Sequence, residues 1–508
     1  MFGILLCFGI FNLSDDGISW DEEAQREIGT VSYNYLVHDD PQLLKYRDRD
    51  YGVAFELPLI GLEKLFGLED SRDVYLMRHL VTHLFFLFCL WCGYWLIFGL
   101  FKNHWLAAIG VLMVVLHPHI YAHSFFNTKD IPFMSMFFVC FLFIFKSFQH
   151  HRYVHFIIAG AAIALLVNLR IMGIMLLGLV VFFLIADLVL NRHDNDARIK
   201  TWRSLLLFLL SFWVALYFSW PYLYDNPLDK IGTVFSNMSS FRWTNKVLYF
   251  GKLIKANELP WHYPIVWFGI STPLVYLLIG LISTGFAAFH VLRHPLQWLK
   301  TNLDRQLVIY LVCFLFPFAA VIVLDSVLYD GWRHLYFIYP AFVMLVLFGI
   351  HSIKKKNVRF GVYAALLISF ALTIPHMAIN HPFQHVFFNV LINRSETNHE
   401  RRLFELDYWG VSYREGLQEI LRHNNSREIR VHTWNKPGHY NLKLIPRADR
   451  KRIHMTADEP NYFITAYRWH PDDFEFGESA EIYSIQVQNN TILSVFKLEG
   501  ADSEPKKH

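Results

Sequence analysis

The 508-residue sequence predicts an α-helical polytopic membrane protein of about eleven transmembrane helices, with a small C-terminal α/β domain outside the membrane. Three observations carry that prediction. Hydrophobic residues make up 54% of the chain and aromatics 17%, at a mean hydropathy of +0.29, which is not a soluble globular composition. Apolar runs long enough to cross a bilayer recur along the first three quarters of the chain. The connections between them alternate in charge, which assigns each to a side.

In chain order the spans are expected near 2–13, 76–100, 105–122, 131–147, 154–169, 171–190, 203–222, 264–289, 306–325, 334–350 and 360–379. The first is short for a crossing, lacks a basic flank and a small-residue cleavage site, and reads as a retained helix. Lys102, Lys146, Arg152, the group Arg192 to Arg203, Arg293 to Arg305, and Lys354-Lys355-Lys356 fall on one side, the cytoplasmic one by the positive-inside rule. The segments 14–75, 123–130, 168–170, 221–263, 326–333 and everything after 380 fall on the other. A domain division follows, with residues 1–380 the membrane unit and 381–508 an extracytoplasmic α/β unit. In the latter, Tyr413 to His423 reads as an amphipathic helix. Glu428 to Trp434 and Tyr462 to Tyr467 read as strands, with a hairpin around Asn489-Asn490. Asp502 to His508 reads as a disordered tail.

The net charge of +3 gives no reason to expect nucleic acid. All five cysteines lie in apolar runs, so neither a disulfide framework nor a redox role for Cys89 and Cys92 is indicated. Chemistry is expected on the outward face. Between Ser14 and Tyr75 the chain carries fifteen acidic residues against six basic ones, including Trp20-Asp21-Glu22-Glu23. Such a loop is expected to be a solvated face or the floor of a site, not core. Lys129-Asp130-Ile131-Pro132 opens the fourth span and puts Asp130 near a helix start, where a carboxylate either offsets the dipole or serves a site. Arg170 stands between two apolar runs with almost no loop to escape into, which costs at least ~2.5 kcal/mol unless it is paired or snorkels. Asp330-Gly331-Trp332-Arg333-His334 adds a second cation at the same level. Two carboxylates and two arginines on one membrane face suit transfer from a lipid phosphate. A carboxylate takes the proton of an attacking hydroxyl or amine, and fixed guanidinium groups face the departing phosphate.

These residues resemble the GT-C superfamily of membrane glycosyltransferases: Trp20-Asp21-Glu22 after the first span, Asp130 at the head of the fourth, and Trp332-Arg333-His334 before a late one. Within it they are similar to the dolichyl-phosphate-mannose protein mannosyltransferase type and the bacterial aminoarabinose transferases. Leu259-Pro260-Trp261-His262-Tyr263-Pro264 and Phe404-Glu405-Leu406-Asp407-Tyr408-Trp409-Gly410 also resemble bacterial members. The resemblance implies a GT-C-like fold and an inverting enzyme that uses a polyprenyl-phosphate sugar as donor. It further implies a bacterial inner membrane, with the site and C-terminal domain in the periplasm. By it Asp21, Asp130 and Glu22 are expected to be catalytic, Asp21 as base. Arg170, Arg333, His334, Lys129, His262 and Tyr263 are expected to bind substrate. Partners would be that donor, a protein, lipid or glycan acceptor, and membrane lipids. A lysine followed by two prolines, frequent in aminoarabinose transferases, is replaced here by Tyr46-Arg47-Asp48-Arg49-Asp50-Tyr51-Gly52, so Arg47 or Arg49 would have to stand in.

No cofactor or metal is expected, although His79 and His83 at i, i+4, with His117, His119 and His123, have spacing that zinc accepts. Sequons occur at Asn237, Asn393, Asn424 and Asn489. Two other functions remain open: a transporter or flippase for a lipid-linked or anionic solute, and a non-catalytic receptor. The concentration of ionisable residues at span ends, with spans that read as unbroken, favours the enzyme.

Overall fold

The structure, a computed structural model, describes residues 1–239, 243, 245–474, 476 and 480–498. The expected disordered tail from Asp502 lies outside the described residues. Among these, eight helices are long and apolar enough to cross a membrane. The count is nine if His104–Val115 and Pro118–Phe126, bent by 69°, form one crossing. Phe2–Asn12 and Tyr153–Leu169 are shorter apolar helices. The chain is an integral, multi-pass membrane protein.

The helices Asp130–His150 and Arg333–Ser352 form the centre, with 89% and 83% of their apolar stretches buried, against 28% for Ile171–Leu190, Asn195–Ser219 and Lys356–Ile379. The last three therefore face lipid. The central packing is aromatic: Phe133, Phe137 and Phe141, spaced four apart on one helix face, stack edge to face, and Phe337 and Tyr310 close on them. Two segments expected to be unbroken are not. Pro118 starts a new helix after His117, and Pro273 separates Tyr263–Ser271 from Leu274–Arg293. Proline has no N–H for the helical ladder, so each break falls where the ring forces it.

The acidic loop is also corrected. Glu22, Glu56 and Glu63 are buried. Helix Ser71–Phe101 supplies their partners: His79 bonds Glu22 at 2.9 Å, and Arg78 bonds Glu63 at 3.3 Å and also Glu56. A carboxylate-rich stretch becomes core when guanidinium and imidazole groups from the next helix meet it.

Beyond residue 380 a mixed sheet forms. A small antiparallel hairpin precedes it in the chain, β1 Lys246–Tyr249 with β2 Lys252–Lys255. The sheet comprises β3 Ile429–Thr433, β4 Ile453–Met455, β5 Tyr462–Thr465, β6 Glu481–Val487 and β7 Asn490–Lys497, in the order β4-β3-β5-β7-β6. β3 is parallel to β4 and β5, and β7 is antiparallel to β5 and β6. The helix Tyr413–His423 lies on it through Tyr413, Leu417 and Ile420. Gly416 sits so close to Leu493 that a Cβ would approach to 2.9 Å. This sheet unit is bound to the first loop: Asn441 exchanges hydrogen bonds with both backbone groups of Ile18, Trp20 N–H donates to Trp409 carbonyl at 3.1 Å, and Lys443 pairs with Glu23 at 2.6 Å.

Candidate active site

Four separate stretches converge on Arg333. Its Nη1 donates to Asp21 at 2.9 Å and to Asp130 at 3.2 Å, and its Nη2 donates to Asp330 at 3.0 Å. The guanidinium lies over Tyr329 and Trp409, 4.9 and 4.6 Å from the ring centroids. Asp330 and Gly331 both take positive φ, a tight turn that aims Arg333 inward. Tyr263 stabilises that turn by accepting the Gly331 N–H at 3.0 Å, and Trp332 Nε1 donates to Ser271 at 2.7 Å.

Asp130 is shut away. Arg170 and Arg333 pair with it, and Asn127 donates to it at 3.0 Å while accepting the Asp130 N–H at 2.7 Å. Asp21 differs in one respect: 35% of its side chain is exposed, against 1% for Asp130. That exposure is onto a cavity of about 180 Å³ lined by Asp21, Lys129, Arg170, Arg333 and His334. Tyr51, Trp220 and Val234 also line it, with Ile28, Leu169 and Ile171 on its apolar wall. Lys129 stands 3.6 Å from the Tyr51 ring centroid. Burial first, then the Arg170 guanidinium, bring its ammonium down to about 8. Tyr51 is placed by Gly52, whose missing Cβ leaves room for the carbonyl of Asn168, while Asn168 Oδ1 accepts the Val53 N–H at 2.9 Å.

The network continues into the sheet unit. Arg468 donates to Asp330 at 2.6 Å and to the Tyr408 carbonyl at 2.6 Å, and its guanidinium lies 4.9 Å from Trp20. Glu405 sits 4.0 Å from Arg468. Burial raises the carboxyls of Glu405 and Asp330, while the guanidinium of Arg468 pulls both the other way. Trp409 is held by the turn around Asp407, which accepts N–H bonds from Gly410 and Ser412 and pairs with His385 at 3.0 Å. Burial would raise the Asp407 carboxyl, yet the bonds from His385 and Ser412 outweigh it and hold it low.

The structure thus brings Asp21, Lys129, Arg170, Arg333 and His334 to one cavity, with Asp130 directly behind its wall. It does not bring Glu22, His262 or Tyr263 there. Glu22 turns to His79 and to the Ser19 N–H at 2.7 Å. His262 bonds the Tyr249 hydroxyl at 2.7 Å, and Tyr263 acts on the Gly331 backbone. Arg47 and Arg49 do not line the cavity, whereas Lys129 and Arg170 do. The five histidines weighed as zinc ligands disperse onto separate partners: Glu22, Ser124, Thr272, the Phe387 carbonyl and Trp409. Among the described residues no group of three or more His, Cys, Asp or Glu is placed to hold a metal. Sequence reasoning missed Arg468 and gave Asp330 and Trp409 no role. The latter two lay in stretches already singled out; Arg468 carried no local signal.

Residues 62–218 match the family model described as dolichyl-phosphate-mannose-protein mannosyltransferase. Over that stretch, just under a third of the chain, the sequence is similar to that family. The chain is similar to the solved oligosaccharyltransferase of Archaeoglobus fulgidus in its apo form, at 10% identity and TM-score 0.45, over 89% of this chain and 64% of that one. It therefore spans just under two thirds of that protein's length. It is also similar to ArnT from Cupriavidus metallidurans bound to undecaprenyl phosphate, at 10% identity and TM-score 0.48, over 99% of this chain and 98% of that one. No curated protein matches it.

Proposed function

We propose that this protein is a membrane glycosyltransferase of the GT-C superfamily, which transfers a sugar from a polyprenyl-phosphate-linked donor to a hydroxyl or amine of a protein, lipid or glycan acceptor. The observation that carries the reading is Asp21, the one carboxylate of the Arg333 cluster that opens onto the cavity. The acceptor oxygen or nitrogen attacks the anomeric carbon and its proton passes to Asp21. The bond from that carbon to the phosphate oxygen breaks, and polyprenyl phosphate leaves with the electron pair. Lys129 and Arg170 face the charge developing on that phosphate. Asp130 holds Arg170 and Arg333 in place and, saturated by both, does not itself take the proton. Arg333 orients Asp21, and Arg468 with Asp330 orients Arg333. By this reading residues 1–380 carry the donor site, and 381–508 complete it from above.

A lipid donor is supported by what adjoins the cavity. An apolar groove of about 470 Å³ begins at Met172, next to Ile171 of the cavity wall, and runs between Ile174–Leu190 and Asn302–Val323. Leu335 and Phe337, just past His334, line it too. The cavity lies at the membrane face away from the lysine- and arginine-rich loops, which the positive-inside rule makes the extracytoplasmic face, the periplasmic one in a bacterial inner membrane.

The test uses the full chain in lipid nanodiscs with a polyprenyl-phosphate sugar and candidate acceptors. Asp21→Asn should lower transfer by about 10²- to 10⁴-fold and leave donor binding intact. Near-normal turnover in that variant would remove Asp21 as base.

A further inference from the structure

At the opposite end of the central helix Asp130–His150, about 30 Å from the catalytic cavity at 1.5 Å per residue, lies a second cavity of about 350 Å³. We propose that it binds a phosphate ester group, carried by a membrane phospholipid or by a soluble phosphate. It is enclosed by the ends of helices Asp130–His150, Ile174–Leu190, Asn195–Ser219 and Asn302–Val323, elements that also support the catalytic face.

Its floor is a fixed arginine. Arg305 donates to both oxygens of Asp187 at 2.8 and 2.9 Å and to the Leu299 carbonyl at 2.9 Å. The guanidinium is clamped by Phe148 and Phe183, 4.6 and 5.2 Å from the ring centroids. Arg305 is 6% exposed, and its Nε has no partner among the described residues. The pair cancels the one carboxylate that lines the cavity. Lys200 and Lys300, both exposed and both lining the cavity, leave it net positive. Buried Ser204 and the amide of Asn191 add short-range polar groups.

Ammonium groups, a hydroxyl and amide N–H groups match phosphate oxygens, and basic pockets between transmembrane helices at this face are suited to anionic head groups. Phe156 and Leu184 line the remaining side, and Ile185 and Leu206 beyond it are exposed to the lipid zone. An amphiphile fits that arrangement with its phosphate at the lysines and its chain along Ile174–Leu190. A soluble phosphate would use the polar half alone.

The purified full chain is placed in nanodiscs of phosphatidylcholine, with and without phosphatidylglycerol. Its melting temperature and retained lipid, by native mass spectrometry, are compared with those of Lys200→Ser/Lys300→Ser. Phosphatidylglycerol should raise the wild-type melting temperature, and the double variant should lose most of that rise and most of the retained lipid. Ser204→Leu, which fills the cavity without changing charge, should lose it too. Inorganic phosphate is the second probe: a rise with phosphate that vanishes in the double variant supports the site and identifies its ligand as soluble. An equal rise in wild type and both variants, or no rise with either probe, overturns the proposal.

Discussion

Two buried arginines on the same face of this protein sit among carboxylates, and they serve different ends. Arg78 meets Glu56 and Glu63, side chains only 3% and 5% exposed, with Arg26 closing on Glu63 at 2.9 Å. Arg333 meets Asp21, Asp130 and Asp330, with Arg170 and Arg468 closing on the latter two. Both clusters offset buried charge by pairing it, as burial requires. Only the second leaves a carboxylate, Asp21, open to a cavity, with Lys129 on the same wall. The Arg78 cluster locks the first loop onto helix Ser71–Phe101. On the proposed reading the Arg333 cluster uses the same chemistry to aim one side chain.

That contrast is open to direct attack. The largest separation should come from comparing Asp21→Asn, with its collapse of transfer, against Glu56→Gln. The latter leaves Arg78 short of a counter-charge and should cost about 3–5 kcal/mol of stability. Turnover per folded molecule, counted after size-exclusion chromatography, should stay at the wild-type level. A fall in that normalised turnover as deep as that of Asp21→Asn would erase the distinction between the clusters.

Next in size is Arg468→Met. Asp330 would lose one of its two cations, Arg333 would be free to shift toward it, and Asp21 would be misaimed. Transfer should drop on the order of tenfold or more, because small displacements of an orienting group are costly. The drop should fall on kcat with donor KM nearly unchanged, and Arg468→Lys should recover part of it. A change in melting temperature alone, with kcat intact, would reduce Arg468 to a structural tie.

The smallest effect concerns pH. Lys129 keeps its charge below about 8 and loses it as pH rises through that value. Donor KM should therefore increase between pH 7 and 9. Lys129→Arg, whose guanidinium stays charged, should flatten that increase. A wild-type donor KM that is level across the range would take Lys129 away from the phosphate.

Much of the candidate site was legible because it sits at helix ends. Asp21, Asp130, Arg170 and Arg333 each break an apolar pattern where the chain leaves the membrane, and an ionisable group there needs a partner. The pattern named the four but not their relations. It treated Asp130 as an equal of Asp21, while the fold encloses one and exposes the other. Glu22, adjacent to Asp21, points to His79 because successive residues of a helix face different ways. The amphipathic helix Tyr413–His423 and the hairpin of β6 and β7 were also readable, since periodicity is local.

From its residues alone this protein is a multi-span helical membrane chain with a charged outward face and a folded α/β unit after the last span. Those properties follow from how apolar runs, charges and turn residues are ordered along one dimension. Which carboxylate would be exposed, that helix Ser71–Phe101 would draw three glutamates into the core, and that Arg468 would reach Asp330 138 positions away were decided only by packing. Each depends on what stands beside a residue in space, and a buried charge takes its character from that neighbour.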